Sequence, residues 1–110
     1  PELLLLDEPG AGLDLGGRED LVARMGALAA DPAAPTQVVV THHVEEIPPG
    51  FTHLLLLARG GVVVQGPLQQ VLTDAWLSLA FEQPIAVRGD AGRWFARRQT
   101  VVDPGPAAWT

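Results

Sequence analysis

Apolar and polar positions divide the chain into short elements. Leu3-Leu4-Leu5-Leu6 is a continuous apolar run that ends in Asp7-Glu8. Runs of this kind suit a strand buried on both faces of a parallel sheet. Pro9 and Gly10 close it, and composition makes residues 10–17 a loop. From Arg18 to Ala30 the apolar residues Leu21, Val22, Met25, Leu28 and Ala29 recur on one helical face. Glu19 and Asp20 sit in the first turn of that predicted helix, where the macrodipole favours negative charge. Asp31-Pro32 ends it. Gln37–Thr41 is β-branched and reads as a second buried strand. His42–Ile47 reads as a short turn or helical stretch, stopped by Pro48-Pro49-Gly50.

The second half predicts two hairpins with helices between them. Strands at Thr52–Ala58 and Gly61–Gln65 are joined by a tight turn at Arg59-Gly60-Gly61. Pro67–Thr73 and Asp74–Phe81 read as helical, with Asp74 as the N-cap of the second. Ile85–Arg88 and Arg93–Arg97 pair around Gly89-Asp90-Ala91-Gly92. Residues 99–110 carry little pattern and are expected to be a flexible tail. The order strand, helix, strand, hairpin implies an α/β layer closed by antiparallel strands. No internal repeat is present.

Composition narrows the function classes. The chain has 110 residues, 47% hydrophobic, and a net charge of −6. All seven basic residues are Arg. An acidic chain argues against a free-standing nucleic-acid binder. Without Cys there is neither a disulfide framework nor a thiolate metal site. Without Lys there is no GxxxxGK[ST] phosphate loop. No apolar run has the length of a membrane span. The start at Pro1-Glu2, without Met and directly ahead of a strand, reads as a chain whose N-terminal part is missing.

Four constellations carry candidate chemistry. Asp7 and Glu8 stand at the carboxyl end of a predicted strand, where open α/β sheets bind ligands. Side chains of neighbouring strand residues aim to opposite faces, so the pair could divide labour between a metal and a water; the plainer reading is a solvated strand end. In Gly10-Ala11-Gly12-Leu13-Asp14, small residues permit close approach of another chain, while Asp14 alone reads more simply as an N-cap-like acid. His42 follows the second strand, and the span from Glu8 leaves room for one crossover helix. On a neighbouring strand it would share a rim with the two acids and could donate a hydrogen bond to phosphate. His43 and His53 read as surface residues. Arg93-Trp94-Phe95-Ala96-Arg97-Arg98 interleaves basic and aromatic residues, as nucleic-acid contacts do, but a hairpin with solvated Arg and a packed Trp accounts for it better.

In this order and spacing the elements resemble the C-terminal half of an ATP-binding cassette (ABC) ATPase. Leu3-Leu4-Leu5-Leu6-Asp7-Glu8-Pro9 is similar to the Walker B strand with its catalytic Glu, and Gly10-Ala11-Gly12-Leu13-Asp14 to the D-loop. Val39-Val40-Thr41-His42 is similar to the switch-histidine strand, and the segment from Leu54 to Pro67 to the cassette's terminal hairpin. The resemblance implies the fold class: the C-terminal part of a P-loop NTPase sheet with flanking helices and terminal antiparallel hairpins. Residues 1–83 would be the cassette portion and 84–98 an accessory hairpin. It implies ATP and Mg2+ as ligands, with Asp7 holding Mg2+ through water, Glu8 polarising the attacking water, and His42 bonding the γ-phosphate. Gly12, Leu13 and Asp14 would contact a second cassette.

The family's phosphate loop, Q-loop and signature motif are absent from this stretch, so the piece alone is expected to be inactive and poorly soluble. Leu15 stands where many members have Pro. The closing hairpin and residues 42–51 are similar to the bacterial molybdate-type subgroup. The family implies a cytoplasmic subunit, peripheral on the inner face of the membrane, that docks on a permease and couples ATP hydrolysis to solute transport, without direct contact with nucleic acid. A cassette ATPase acting on nucleic acid or the ribosome, and a non-catalytic structural fragment, are the alternatives.

Overall fold

The computed structural model describes residues 2–99; of the tail expected at 99–110, residues 100–110 lie outside them. Strand β1, Leu3–Asp7, pairs in parallel with β2, Thr36–Val40, in the register Leu3 to Thr36 through Asp7 to Val40. The connection between them is helix α1, Leu15–Ala30. This α1 starts three residues before the predicted Arg18, because Asp14 caps it: the Asp14 carboxylate accepts the amide of Gly17 at 2.8 Å. A side-chain cap is worth about 1 kcal/mol, which offsets about half of the combined penalty of Gly16 and Gly17 in the first turn, about 1 kcal/mol each. Glu19 and Asp20 consequently stand beyond the first turn. Val22 and Met25 are buried, and the Gln37 side chain donates to the Met25 carbonyl at 3.0 Å, tying α1 to β2.

One face of the β1–β2 pair departs from the expected two-sided burial. Leu4 and Leu6 are partly covered, but Leu3 and Leu5 are 64% and 62% exposed, and Val38 and Val40 on the same face are exposed too. A two-stranded unit has α1 for one face and nothing among the described residues for the other.

After β2 the chain makes a 3-10 turn at Val44–Glu46, then enters β3, His53–Ala58, and β4, Gly61–Pro67. These two pair antiparallel around Arg59-Gly60, whose φ angles of 51° and 77° meet the two-residue hairpin requirement. Helix α2, Leu68–Val71, and helix α3, Asp74–Phe81, follow. The N-cap of α3 is Thr73, not Asp74: its hydroxyl accepts the Trp76 amide at 3.2 Å. Asp74 is drawn elsewhere, accepting the Val87 amide at 2.7 Å and contacting Arg88 at 3.4 Å. The Arg59 guanidinium donates to the Ala80 carbonyl at 2.8 Å, satisfying an orphan acceptor at the α3 C-terminus.

The last hairpin pairs β5, Ile85–Asp90, with β6, Arg93–Arg98. Its turn is only Ala91-Gly92, with φ of 50° and 77°, so the strands run through Gly89 and Asp90. Gly89 is required there, since a Cβ would lie 2.9 Å from the Trp94 ring. The main core is Ile47, Leu68, Leu72, Leu77 and Val87, with Phe51, Leu54, Leu56, Ile85 and Trp94 packed around it. It joins the two hairpins, α2, α3 and the end of the 3-10 turn into one layered unit. The architecture is mixed α/β with antiparallel hairpins at its C-terminal end, as the resemblance implies.

Candidate functional site

The parallel register places Asp7 opposite Val40, so the acids that follow β1 and the histidine that follows β2 leave the sheet at one rim. Asp7 ends β1 on the open face it shares with Leu3 and Leu5. At Glu8 the backbone leaves the strand in the left-handed region, with φ of 47°. Its amide still donates to the Val40 carbonyl at 2.7 Å, which anchors the bend to β2. The side chain turns toward the neighbouring strand: Glu8 Oε1 is 3.0 Å from His42 Nε2. The two side chains are 46% and 77% exposed, so both remain open to a ligand. A non-Gly residue at positive φ stores strain of order 1–3 kcal/mol and is frequent at functional sites.

The loop beyond Glu8 is a pair of turns. Ala11 N–H donates to Glu8 O and Leu13 N–H to Gly10 O, both at 3.1 Å. Gly12 has φ of 80° and open space around it, so the need for glycine there is conformational. Asp14 is the α1 cap already described, which is the simpler of its two readings. Leu13 and Leu15 flank it as exposed apolar side chains.

A residue that the sequence did not single out organises this rim. Glu46, in the 3-10 turn, is only 5% exposed, yet it is a carboxylate. It accepts a hydrogen bond from the Thr41 hydroxyl and another from Arg18 Nε at 3.3 Å. Its Oε2 lies 2.5 Å from where a Cβ on Gly10 would sit. One buried side chain thus touches the residue before His42, the first helix and the loop that follows Glu8. A buried carboxylate needs such partners, because an unpaired one is costly. The only trace in the sequence is a pair of acids, Glu45 and Glu46, between the apolar residues Val44 and Ile47. Around Glu46 lies a cavity of about 190 Å³, lined by Glu8, Gly10, Gly12, Arg18 and Thr41.

His43 uses its backbone amide to bond Thr41 Oγ1 at 3.1 Å, while exposed His53 lies 2.9 Å from the neighbouring Thr52 hydroxyl; neither side chain joins the Glu8–His42 pair. The C-terminal hairpin has a partly buried Trp94 and exposed Arg97 and Arg98, as the packed-hairpin reading has it, but Arg93 turns inward. It forms a bidentate pair with Glu19 at 2.6 and 2.8 Å. Hydrogen bonding to Arg93 holds the Glu19 carboxyl below its usual range, and the same bonds raise Arg93.

The donor set at the rim fits a hydrated cation rather than a protein cage. Among the described residues no three His, Cys, Asp or Glu side chains converge as metal ligands. One exposed carboxylate, that of Asp7, is what Mg2+ takes when phosphate oxygens and water complete its shell, while Glu8 is turned onto His42. No helix of the described residues is long and apolar enough to cross a membrane.

No protein-family model matches the chain. The uncharacterized ABC transporter ATP-binding protein YlmA of Bacillus subtilis is 45% identical over 98 residues, 89% of this chain and 37% of that protein. The molybdenum import ATP-binding protein ModC of Shewanella oneidensis is 38% identical over 78 residues, 71% of this chain and 20% of ModC. Among solved structures, an ABC transporter assigned to the metal-chelate type, in an inward-facing conformation, superposes with a TM-score of 0.68 at 23% identity, over 91% of this chain and 40% of that one. The chain spans well under half the length of these proteins. In sequence the chain is homologous to the C-terminal region of ABC transporter ATP-binding proteins, and its fold matches the corresponding part of an ABC transporter ATPase fold.

Proposed function

We propose that the chain supplies the water-activating and phosphate-sensing part of an ATP-hydrolysing cassette that drives solute transport. The observation that carries this reading is the 3.0 Å contact between Glu8 and His42 at the ends of two parallel strands. Glu8 accepts a hydrogen bond from the attacking water and draws its proton, acting as general base. His42 Nε2, the nitrogen that meets Glu8 Oε1, carries a single N–H, which passes from Glu8 to a terminal phosphate oxygen when nucleotide is bound and leaves the carboxylate free for the water. Asp7, exposed beside them, holds Mg2+ through water. The cation, when bound, neutralises charge developing on the phosphate oxygens. Phosphoryl transfer depends mainly on positioning and charge stabilisation, so a few well-held side chains carry much of the effect.

A lysine-free chain has no phosphate-loop lysine, so turnover on this reading requires a phosphate loop and a signature segment from other polypeptide sequence, and the chain by itself is inactive. Gly12, Leu13 and Asp14 face a second cassette, with the exposed Leu13 and Leu15 offering apolar area to it. A permease is the other partner, with the assembly on the cytoplasmic face of the membrane. Residues 1–83 belong to the cassette part and 84–98 to an accessory hairpin. The test is Glu8→Gln in a polypeptide that joins this chain to its phosphate loop. ATP binding should persist while turnover falls at least 100-fold, by analogy with the loss of one preorganised catalytic group. Hydrolysis at the unmodified rate would defeat the assignment.

A further inference from the structure

Arg93 lies outside the Glu8–His42 rim, yet its hydrogen bonds lead to it. Its side chain is 19% exposed and anchored at three points. Two are the Glu19 oxygens on α1; the third is the Glu45 carbonyl, which accepts from Nη2 at 2.7 Å. The Glu45 side chain is held by the same strand, its Oε2 accepting the Ala96 amide at 3.4 Å. The hairpin thus grips both the backbone and the side chain of the residue at the middle of the 3-10 turn. That turn contains Glu46, whose carboxylate takes the Thr41 hydroxyl immediately before His42. Its first residues follow directly on His43, whose carbonyl accepts the Glu46 amide at 3.0 Å.

We propose that Arg93 is a positioning residue: from the accessory hairpin it locks the turn after His42 and so holds the imidazole against Glu8. The proposal rests on the ATPase reading and adds to it a role for β5–β6. An exposed ion pair is a weak stabiliser, since solvent screens it. A guanidinium that bridges a carboxylate and a main-chain carbonyl instead sets geometry, which a lysine with its single ammonium does not reproduce. A displacement of about 1 Å at a reacting group can lower a rate about 100-fold.

The test uses a polypeptide that carries this chain together with its phosphate loop. Arg93→Ala and Arg93→Lys should each lower kcat about tenfold or more, within the range that misplacement allows. KM for ATP should stay within about twofold, and Glu19→Gln should leave the melting midpoint near that of the parent, since the bonds at the Glu19 end are exposed. Glu19→Gln breaks the ion pair but leaves Arg93 free to bond the Glu45 carbonyl, and should lose less of kcat than Arg93→Ala. Unchanged kcat in Arg93→Lys overturns the proposal. So does a Glu19→Gln loss equal to that of Arg93→Ala, which would assign the effect to the helix pairing. If Arg93→Ala does not fold, Arg93→Lys and Glu19→Gln still decide. Failure of the ATPase reading is separate: it shows as full turnover in Glu8→Gln, whatever the Arg93 variants do.

Discussion

Replacing Gly10 by Ala should disturb the rim through one identifiable collision. The added methyl would stand 2.5 Å from Glu46 Oε2 and 3.0 Å from its Cδ, both shorter than ordinary contact. Gly10 is not at positive φ, so the penalty is steric and not conformational. The carboxylate has little room to retreat, being held by Thr41 on one side and Arg18 on the other. Overpacking a well-packed site costs about 1–3 kcal/mol. Retreat of Glu46 would instead forfeit hydrogen bonds worth about 1.5–3 kcal/mol each for a charged group. Either route predicts a destabilisation of about 2 kcal/mol, read as a lower denaturant midpoint at unchanged m-value. The decisive form is a double-mutant cycle. Glu46→Asp withdraws the carboxylate by one methylene, so Gly10→Ala should cost at least 1 kcal/mol less in that background, well above the scatter of independent sites, about 0.5 kcal/mol. Additive losses, or a Gly10→Ala variant as stable as the parent, would refute the packing of Glu46 beneath this loop.

Two further outcomes follow from other parts of the fold. The Asp74 carboxyl is held low, first by the Val87 amide and then by Arg88. A depressed folded pKa contributes stability above the unfolded value, the ordinary Asp pKa of about 3.9, and loses it as pH falls through the folded one. Stability should thus decline below about pH 4, and Asp74→Asn should flatten that decline; an equal slope in both proteins would contradict it. The open face of β1–β2, with Leu3, Leu5, Val38 and Val40, should make the chain self-associate when produced alone. Sedimentation of Leu5→Glu should show less association, whereas a parent that is monomeric with a sharp cooperative melt would contradict the expectation.

The elements most legible in the sequence were those set by local chemistry. The apolar run at 3–6, the β-branched run at 38–40 and the two Gly-containing hairpins all form close to the predicted positions. Misplacements came from competition between nearby polar side chains. Asp14 rather than Arg18 opens α1, because its carboxylate reaches the Gly17 amide. Thr73 rather than Asp74 caps α3, because Asp74 has a partner in β5 thirteen residues away. The meeting of Glu8 with His42 depended on strand pairing, which spacing suggested and register supplies. Glu46 and Arg93 could not be read in this way, since their partners at Gly10, Arg18, Glu19 and Glu45 are distant in sequence or lie on the main chain. The two-sided burial expected for β1 also failed, because covering its second face takes more sheet and helix than the described residues hold.

The central claim is that Glu8 and His42 serve one terminal phosphate as a unit. Single-turnover ATP hydrolysis by Glu8→Gln, His42→Ala and the double variant, in a polypeptide that includes the phosphate loop, tests this most directly. Residues that act together are grossly non-additive, so the double variant should be about as slow as Glu8→Gln alone. Losses that multiply, with His42→Ala costing its full factor in the Glu8→Gln background, would mean that the two side chains act independently and would contradict the account.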